Sequence, residues 1–254
     1  MVTTGAALDN VADILDKTFT CYGILEFGEE KVSCERAHGT MDLKTALANS
    51  CNCAFAQIAE LVGRKNMESY VEKLQVTEPL TFDGITTARG SFSVDGASAQ
   101  QIAWSAIGQH LDLINPCRYM TFMGVIAGGG EAAEPYIVAS AKAGMLGGYK
   151  AGTEKTGRLL DKDTAKALAE LMRNNVVSQY GDDNFPGLTV CAKSGTAEVG
   201  GDKKPNATFA GFCTDEDYPL AFMVVVEDAG SGSKTCVPII SKVLAACKEM
   251  MDAE

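Results

Sequence analysis

Three short apolar runs in the last third of the chain constrain the fold most: Leu188 to Ala192, Ala207 to Cys213 and Leu220 to Glu227. Each has strand length and is bounded by turn residues. Consecutive strands on short connections pair antiparallel, and an apolar sheet of that kind must bury a face. The stretch Thr235 to Met251 follows directly with helical spacing and predicts the covering helix. Upstream the rhythm is helical. Asp42 to Val62 places Leu43, Ala46, Leu47, Ala54, Phe55, Ile58 and Leu61 on one periodic face, broken by Ser50-Cys51-Asn52 and closed by Gly63. Residues 1–16, Met67 to Leu74, 98–111, 116–127 and Asp161 to Val177 read as further helices, Pro116 opening one and Gly128-Gly129-Gly130 ending it. Residues 18–40 suggest a hairpin or irregular loop, Pro79 to Gly96 a loop, and Pro135 to Ala141 a strand. No repeat or linker divides the chain. The expected fold class is α+β, one domain over residues 1–254 with a helical lobe and an antiparallel sheet lobe covered by helices.

Composition narrows the function. A hydrophobic share of 46% supports a sizeable core. Thirty-three acidic residues against 22 basic ones leave a net charge of −11, which argues against nucleic acid as a partner. No apolar run approaches membrane-spanning length. Met1-Val2-Thr3-Thr4-Gly5 lacks a basic n-region, and Asp9 and Asp13 interrupt the following stretch, so no signal peptide is expected. Nine cysteines stand at 21, 34, 51, 53, 117, 191, 213, 236 and 247. They form no Cys-x-x-Cys pair, and the two histidines, His38 and His110, are far apart in sequence. The spacing therefore predicts no metal site, and no cofactor motif is present. Cys191, Cys213 and Cys247 lie in apolar segments as small hydrophobes. Cys21 and Cys34 flank a turn-rich stretch and are either bridged or two separate thiols.

Lys-Ser/Thr-Gly occurs twice. Lys155-Thr156-Gly157 has no strand to sit on and reads as a solvated loop. Lys193-Ser194-Gly195-Thr196 follows the run 188–192 and puts a cation, two hydroxyls and a glycine at a strand edge. That set suits a carboxylate-bearing ligand laid along the strand, with Gly195 permitting close backbone approach. Ser50-Cys51-Asn52 alone is a helix break or cap.

Taken together and in order, these segments resemble the penicillin-binding protein transpeptidase family. His38-Gly39 and Ala46 to Gln57 around Ser50-x-Asn52 resemble its second signature. Ile107-Gly108-Gln109, with the Pro116 helix behind it, resembles its Gly-Gln-Gly segment, although His110 stands where the family usually has glycine. Lys193 to Glu198, with the strands from Ala207 and Val224, resembles its third signature. The resemblance implies a β-lactamase-like fold and a serine D,D-transpeptidase that crosslinks peptidoglycan stem peptides and binds β-lactams, at the extracytoplasmic face of a bacterial membrane. It implies that Ser50 relays protons, Asn52 contacts the substrate amide, Lys193 supplies a positive field, and Ser194, Gly195 and Thr196 hold substrate, the Thr196 N–H forming half of an oxyanion hole.

The family's first signature is Ser-x-x-Lys, whose serine is the nucleophile. Its usual continuation resembles Val2 to Leu8, so the resemblance puts the lysine immediately before Met1, and the expectation is a chain truncated just after the motif. The single Ser-x-x-Lys string here, Ser231-Gly232-Ser233-Lys234, precedes the closing helix and reads as a turn and cap. The nucleophile is thus absent from these 254 residues, and the chain as given is expected to be inactive. The helix and two strands that precede the motif in the family would also be missing, leaving 220–227 as an apolar edge prone to self-association. Alternatives are a non-catalytic peptidoglycan- or β-lactam-binding module, a β-lactamase or β-lactam sensor of the same fold, and an unrelated two-lobe binding protein.

Overall fold

The computed structural model describes residues 1–142 and 147–253. Its first helix, α1 (Val2–Asn10), is a core element of small residues. Thr3, Thr4, Gly5, Ala6 and Ala7 are all buried. A side chain at Gly5 would collide with the Tyr70 ring, so glycine sets how closely α1 and its neighbour pack. The helix stops at Asn10, short of the expected 16. Asp9, Asp13 and Asp16 crowd a C-terminal end that has no basic residue, where negative charge is unfavourable. Asp13 itself turns the chain at φ 53°.

Four short strands follow: β1 (Thr18–Cys21), β2 (Ile24–Phe27), β3 (Glu30–Ser33) and β4 (Gly39–Asp42). β2 and β3 form a hairpin that interrupts the antiparallel β1–β4 pair. Asp42 then caps α2 (Leu43–Ala48) by accepting from the Thr45 N–H at 2.8 Å. α3 (Asn52–Val62) ends at Gly63 with φ 76°, as expected, and α4 (Arg64–Leu74) continues at once. A two-residue hairpin, β5 (Thr81–Phe82) and β6 (Ile85–Thr86), is the only pairing between strands within the predicted loop 79–96 among the described residues.

α5 (Ala99–Ala106) opens with a complete capping box from Ser98 and Gln101. It ends five residues before the predicted 111, because Gly108 and His110 take φ 81° and 69° and turn the backbone away. α6 (Pro116–Ala127) has Pro116 in its first turn and the Asn115 side chain as its cap. The strand expected at 135–141 is reduced to β7 (Ser140–Lys142), paired with β8 (Gly148–Lys150) and exposed throughout. α7 (Lys162–Asn175) runs into a π-helical turn, Val176–Tyr180.

The predicted sheet is present, in the order β11-β10-β9: β9 (Val190–Ala197), β10 (Asn206–Cys213) and β11 (Ala221–Val226), all antiparallel. α8 (Gly232–Asp252) closes the chain. Alternation along β10 explains the layering. Ala207, Phe209 and Cys213 point into a cluster with Cys236, Val237, Ile240 and Leu244 of α8. Ala210 and Phe212 point the other way, into the larger core with Phe122, Val125 and Leu168 of α6 and α7. Each Phe-sized side chain buried on either face stabilises the packing by roughly 1.5–3 kcal/mol.

Candidate active site

Ser50 and Lys193 are 143 residues apart in sequence and adjacent in space. Ser50 lies in the three-residue break between α2 and α3 with φ 49°. That left-handed conformation costs a non-glycine residue of order 1 kcal/mol or more, and the surrounding turn must impose it. The turn does so with backbone bonds, the Ser50 N–H donating to Leu47 O and the Cys51 N–H to Ala46 O. The residue is thereby left exposed to solvent. Lys193 projects from β9 and donates from Nζ to Ser50 Oγ at 2.6 Å and to its neighbour's carbonyl, Ser194 O, at 2.6 Å. An ammonium held this close polarises the hydroxyl and makes a local positive field.

The rest of the motif is held by residues without a sequence signal. Tyr180, at the end of the π-helical turn, accepts from the Ser194 N–H at 2.9 Å and donates to Ser194 Oγ at 3.0 Å. Its ring packs edge-on against Phe209, centroids 5.1 Å apart. Asn175, fully buried, donates from Nδ2 to Ala192 O at 3.1 Å just upstream. Thr196 Oγ1 accepts from the Gly232 N–H at 3.0 Å, which ties the strand to the N-terminus of α8. Both glycines are required by contact: a Cβ at Gly195 would overlap Thr208 Oγ1, and one at Gly232 would overlap the Gly195 carbonyl. Among the described residues β9 pairs only with β10, so the backbone of 193–197 has an edge without a strand partner.

The remaining expected residues are placed less tightly. Asn52 heads α3, and its Nδ2 donates to Ser33 O at 2.9 Å, tying it to the end of β3. Met1, the N-cap residue of α1, lies near Lys193. Ser231 is the side-chain cap of α8, as expected; Lys155 and Gly157 are exposed, but Thr156 is half-buried and the segment is bridged through Lys155 to Ala133 rather than free. Two open concavities lie elsewhere: one of about 450 Å³ is lined in part by Arg173, Asp182 and Phe185. The other, of about 540 Å³, includes Lys17, Gln57 and Leu61. Neither contains Ser50 or Lys193.

One cluster is hidden by spacing in the sequence. Cys21, Cys34, His38 and Cys51 are scattered in sequence, yet their donor atoms all lie within 4.8 Å of one another. The reason is topological: the β2–β3 hairpin is inserted between paired strands and folds its ends back onto the Ser50 turn. All nine cysteines are free thiols, so Cys21 and Cys34 are not bridged. Burial opposes ionisation of the Cys21 thiol, but hydrogen bonds from the Gly23 and His38 backbone and the His38 ring outweigh it and bring the pKa down to about 6. Burial pushes Cys51 and Cys53 up.

A helical lobe against an antiparallel three-stranded sheet, with a serine from one facing a lysine from the other, is the arrangement of a serine acyl-transfer fold. The family model for the penicillin binding protein transpeptidase domain matches residues 1–245, and the chain belongs to that family. Among curated proteins it is 29% identical over 220 residues to the peptidoglycan D,D-transpeptidase PbpA of Mycolicibacterium smegmatis, covering 82% of this chain and 44% of that one. It is 22% identical to stage V sporulation protein D of Bacillus subtilis, over 96% of this chain and 40% of that one. The chain thus spans less than half the length of these relatives. Among solved structures, penicillin-binding protein A from M. tuberculosis in a ceftriaxone acyl-enzyme complex superposes with a TM-score of 0.87 at 23% identity, covering 97% of this chain and 58% of that one. The D,D-transpeptidase domain of a peptidoglycan glycosyltransferase from Eggerthella lenta gives 0.83 at 23% identity, covering 100% and 64%. The fold is that of the penicillin-binding and β-lactamase-like proteins.

Proposed function

We propose that these residues form the substrate-holding part of a D,D-transpeptidase site that crosslinks peptidoglycan stem peptides at the outer face of a bacterial membrane. The observation that carries the reading is the Lys193 Nζ to Ser50 Oγ bond of 2.6 Å, which joins two motifs that are individually uninformative. A peptide ending in D-Ala-D-Ala would lie along the open edge of β9, its carboxylate against the Ser194 and Thr196 hydroxyls and the Lys193 charge. Asn52 would contact the substrate amide, and the Thr196 N–H would supply one oxyanion-hole donor. In the complete reaction a serine oxygen attacks the penultimate carbonyl and the C–N bond to the terminal D-Ala breaks. Ser50 relays the proton to the departing amine. An acceptor amine then displaces the serine from the acyl ester.

By family resemblance the serine and its partner lysine belong to a Ser-x-x-Lys turn running into α1. Met1 lies near Lys193, so a turn at that position would face the same site. Within the 254 residues no serine stands there, and Ser231 is a helix cap. The expected outcome is that residues 1–254 are not acylated by fluorescent penicillin, while a longer form carrying Ser-x-x-Lys ahead of Val2 is acylated. Lys193→Ala in that longer form should slow acylation by roughly a hundredfold or more, the scale of losing one preorganised charge contact. A penicillin ester on any serine of residues 1–254 would overturn the reading. So would a longer form inert to penicillin. Rapid turnover of nitrocefin by it would point to a β-lactamase instead.

A further inference from the structure

We infer that Cys21, Cys34, His38 and Cys51 bind one zinc ion that locks the Ser50 turn in place. The four donors come from four segments: the end of β1, the residue after β3, the residue before β4, and the N-cap of α3. All four lie within 4.8 Å of one another, and two of the separations match a single tetrahedral ion. With Zn–S near 2.3 Å and Zn–N near 2.0–2.1 Å, a tetrahedron requires S···S of about 3.8 Å and S···N of about 3.5 Å. Cys34 Sγ and Cys51 Sγ are 3.8 Å apart, and Cys21 Sγ and His38 Nδ1 are 3.5 Å apart. The sulfur spacing is far beyond the ~2.05 Å of a disulfide.

The donor chemistry selects the metal. Three thiolates and an imidazole are a soft set suited to zinc and unsuited to calcium or magnesium, which take oxygen ligands. Four protein ligands leave no open position, which makes the site structural. Two backbone groups already point at the sulfurs: the Gly23 N–H donates to Cys21 Sγ at 3.4 Å and the Cys53 N–H to Cys34 Sγ at 3.3 Å. Such donors offset the charge of metal-bound thiolates. Cys53 itself lies 3.6 Å from Cys34 Sγ, but its own thiol is directed at Val32 O, 3.7 Å away, so it stays outside the ligand set. Binding displaces up to three thiol protons into solvent and leaves the site with one net negative charge.

The site also reaches the chemistry described above. Cys51 sits between Ser50 and Asn52, and Cys34 follows Ser33, whose carbonyl holds Asn52. One ion would therefore fix the hairpin, the strained Ser50 turn and the head of α3 as a unit.

The test is metal content and spectroscopy on the intact chain, purified under reducing conditions without a chelating tag. One zinc per chain is expected after dialysis against a metal-free buffer. Cobalt should replace it and give the visible bands of a tetrahedral thiolate complex. Cys34→Ser and His38→Ala should each weaken zinc binding at least a hundredfold, while Cys53→Ser and Cys247→Ser bind as the parent does. Chelation should lower Tm. The wild-type measurements do not depend on any variant folding. The inference fails if folded wild-type protein takes up well below one equivalent of added zinc, or if its cobalt spectrum is octahedral. It fails also if Cys34→Ser binds as tightly as the parent, or if peptide mapping finds Cys34 disulfide-bonded to Cys51 or Cys53. None of these outcomes depends on penicillin acylation, so failure here is distinguishable from failure of the transpeptidase reading.

Discussion

Tyr180 shows how a motif residue is set by a side chain that no motif mentions. Its hydroxyl is donor to Ser194 Oγ and acceptor from the Ser194 N–H, so one group fixes both the backbone and the rotamer of the residue. Tyr180→Phe would leave the half-buried Ser194 N–H without its partner, a loss of about 1 kcal/mol. The expected outcome is a fall in Tm together with weaker binding of an acyl-D-Ala-D-Ala peptide. If Tyr180 acts by positioning Ser194, the substitution should have no further effect on peptide affinity in a Ser194→Ala background, a test by double-mutant cycle. Equal losses in both backgrounds would reduce Tyr180 to a general stabiliser. In sequence only Ser50, Lys193 and its neighbours were legible, because they are chemically specific residue types in a known order. Tyr180 and Asn175 were not, since a tyrosine or asparagine near a helix end carries no signal until the chain is folded around it. Cys21, Cys34, His38 and Cys51 escaped for a related reason: spacing rules detect metal ligands on one turn or knuckle, not ligands assembled from four segments.

At the scale of elements, helices and strands with strong periodicity were legible, including all three strands of the sheet and the helix break, which falls at 49–51, one residue earlier than the expected Ser50-Cys51-Asn52. Their ends were less legible, since a helix stops where capping, charge and φ > 0 outweigh periodicity, as at Asn10 and Ala106. The connection from α5 to α6 illustrates what replaces the lost helix. It is pinned by a bridge in which the Ser91 N–H donates to Leu113 O at 2.7 Å and the Leu113 N–H to Ser91 O at 2.9 Å. Within this connection Asp112 has both carboxylate oxygens buried without a hydrogen-bond partner. Burial is the main reason its pKa rises from 3.8 to about 6; the Ser105 hydroxyl, His110 and the Ser93 N–H stand near enough to offset this in part, but none makes a well-formed hydrogen bond to it. A carboxyl with a raised folded-state pKa favours folding while protonated. Its contribution is complete below about 3.8 and is lost as pH rises through about 6. A shift of this size corresponds to roughly 3 kcal/mol, and partial solvent contact reduces that to about 1 kcal/mol. Asp112→Asn is therefore expected to raise stability at pH 7.5 in urea titrations, the gain shrinking through pH 6 and vanishing below pH 4. A gain that persists at pH 3.5 would show that the charge is not the cause.

The whole molecule presents one conflict between charge and shape. A net charge of −11 keeps copies apart, whereas β11 offers a flat apolar edge. Among the described residues β11 pairs only with β10, and Val225 is 42% exposed on it. α6 and α8 cover the two faces of the sheet, so the remaining way to satisfy the free N–H and C=O groups of that edge, apart from water, is another strand. Two copies meeting edge to edge across a two-fold axis would make a continuous antiparallel sheet, the self-complementary form that closes without polymerising. The expected outcome for residues 1–254 is a concentration-dependent dimer by light scattering. It should be strengthened by salt, which screens the like charges over about 10 Å at 0.1 M, and strengthened again as carboxylates protonate on acidification. Val225→Lys should shift the population toward monomer by placing like charges opposite one another at the new strand pair. If strands ahead of the Ser-x-x-Lys turn lie beside the last strand, as the resemblance implies, a longer form that includes them should remain monomeric under the same conditions. A monodisperse monomer of residues 1–254 at high protein and salt concentration would mean that the negative charge of the molecule outweighs its open edge.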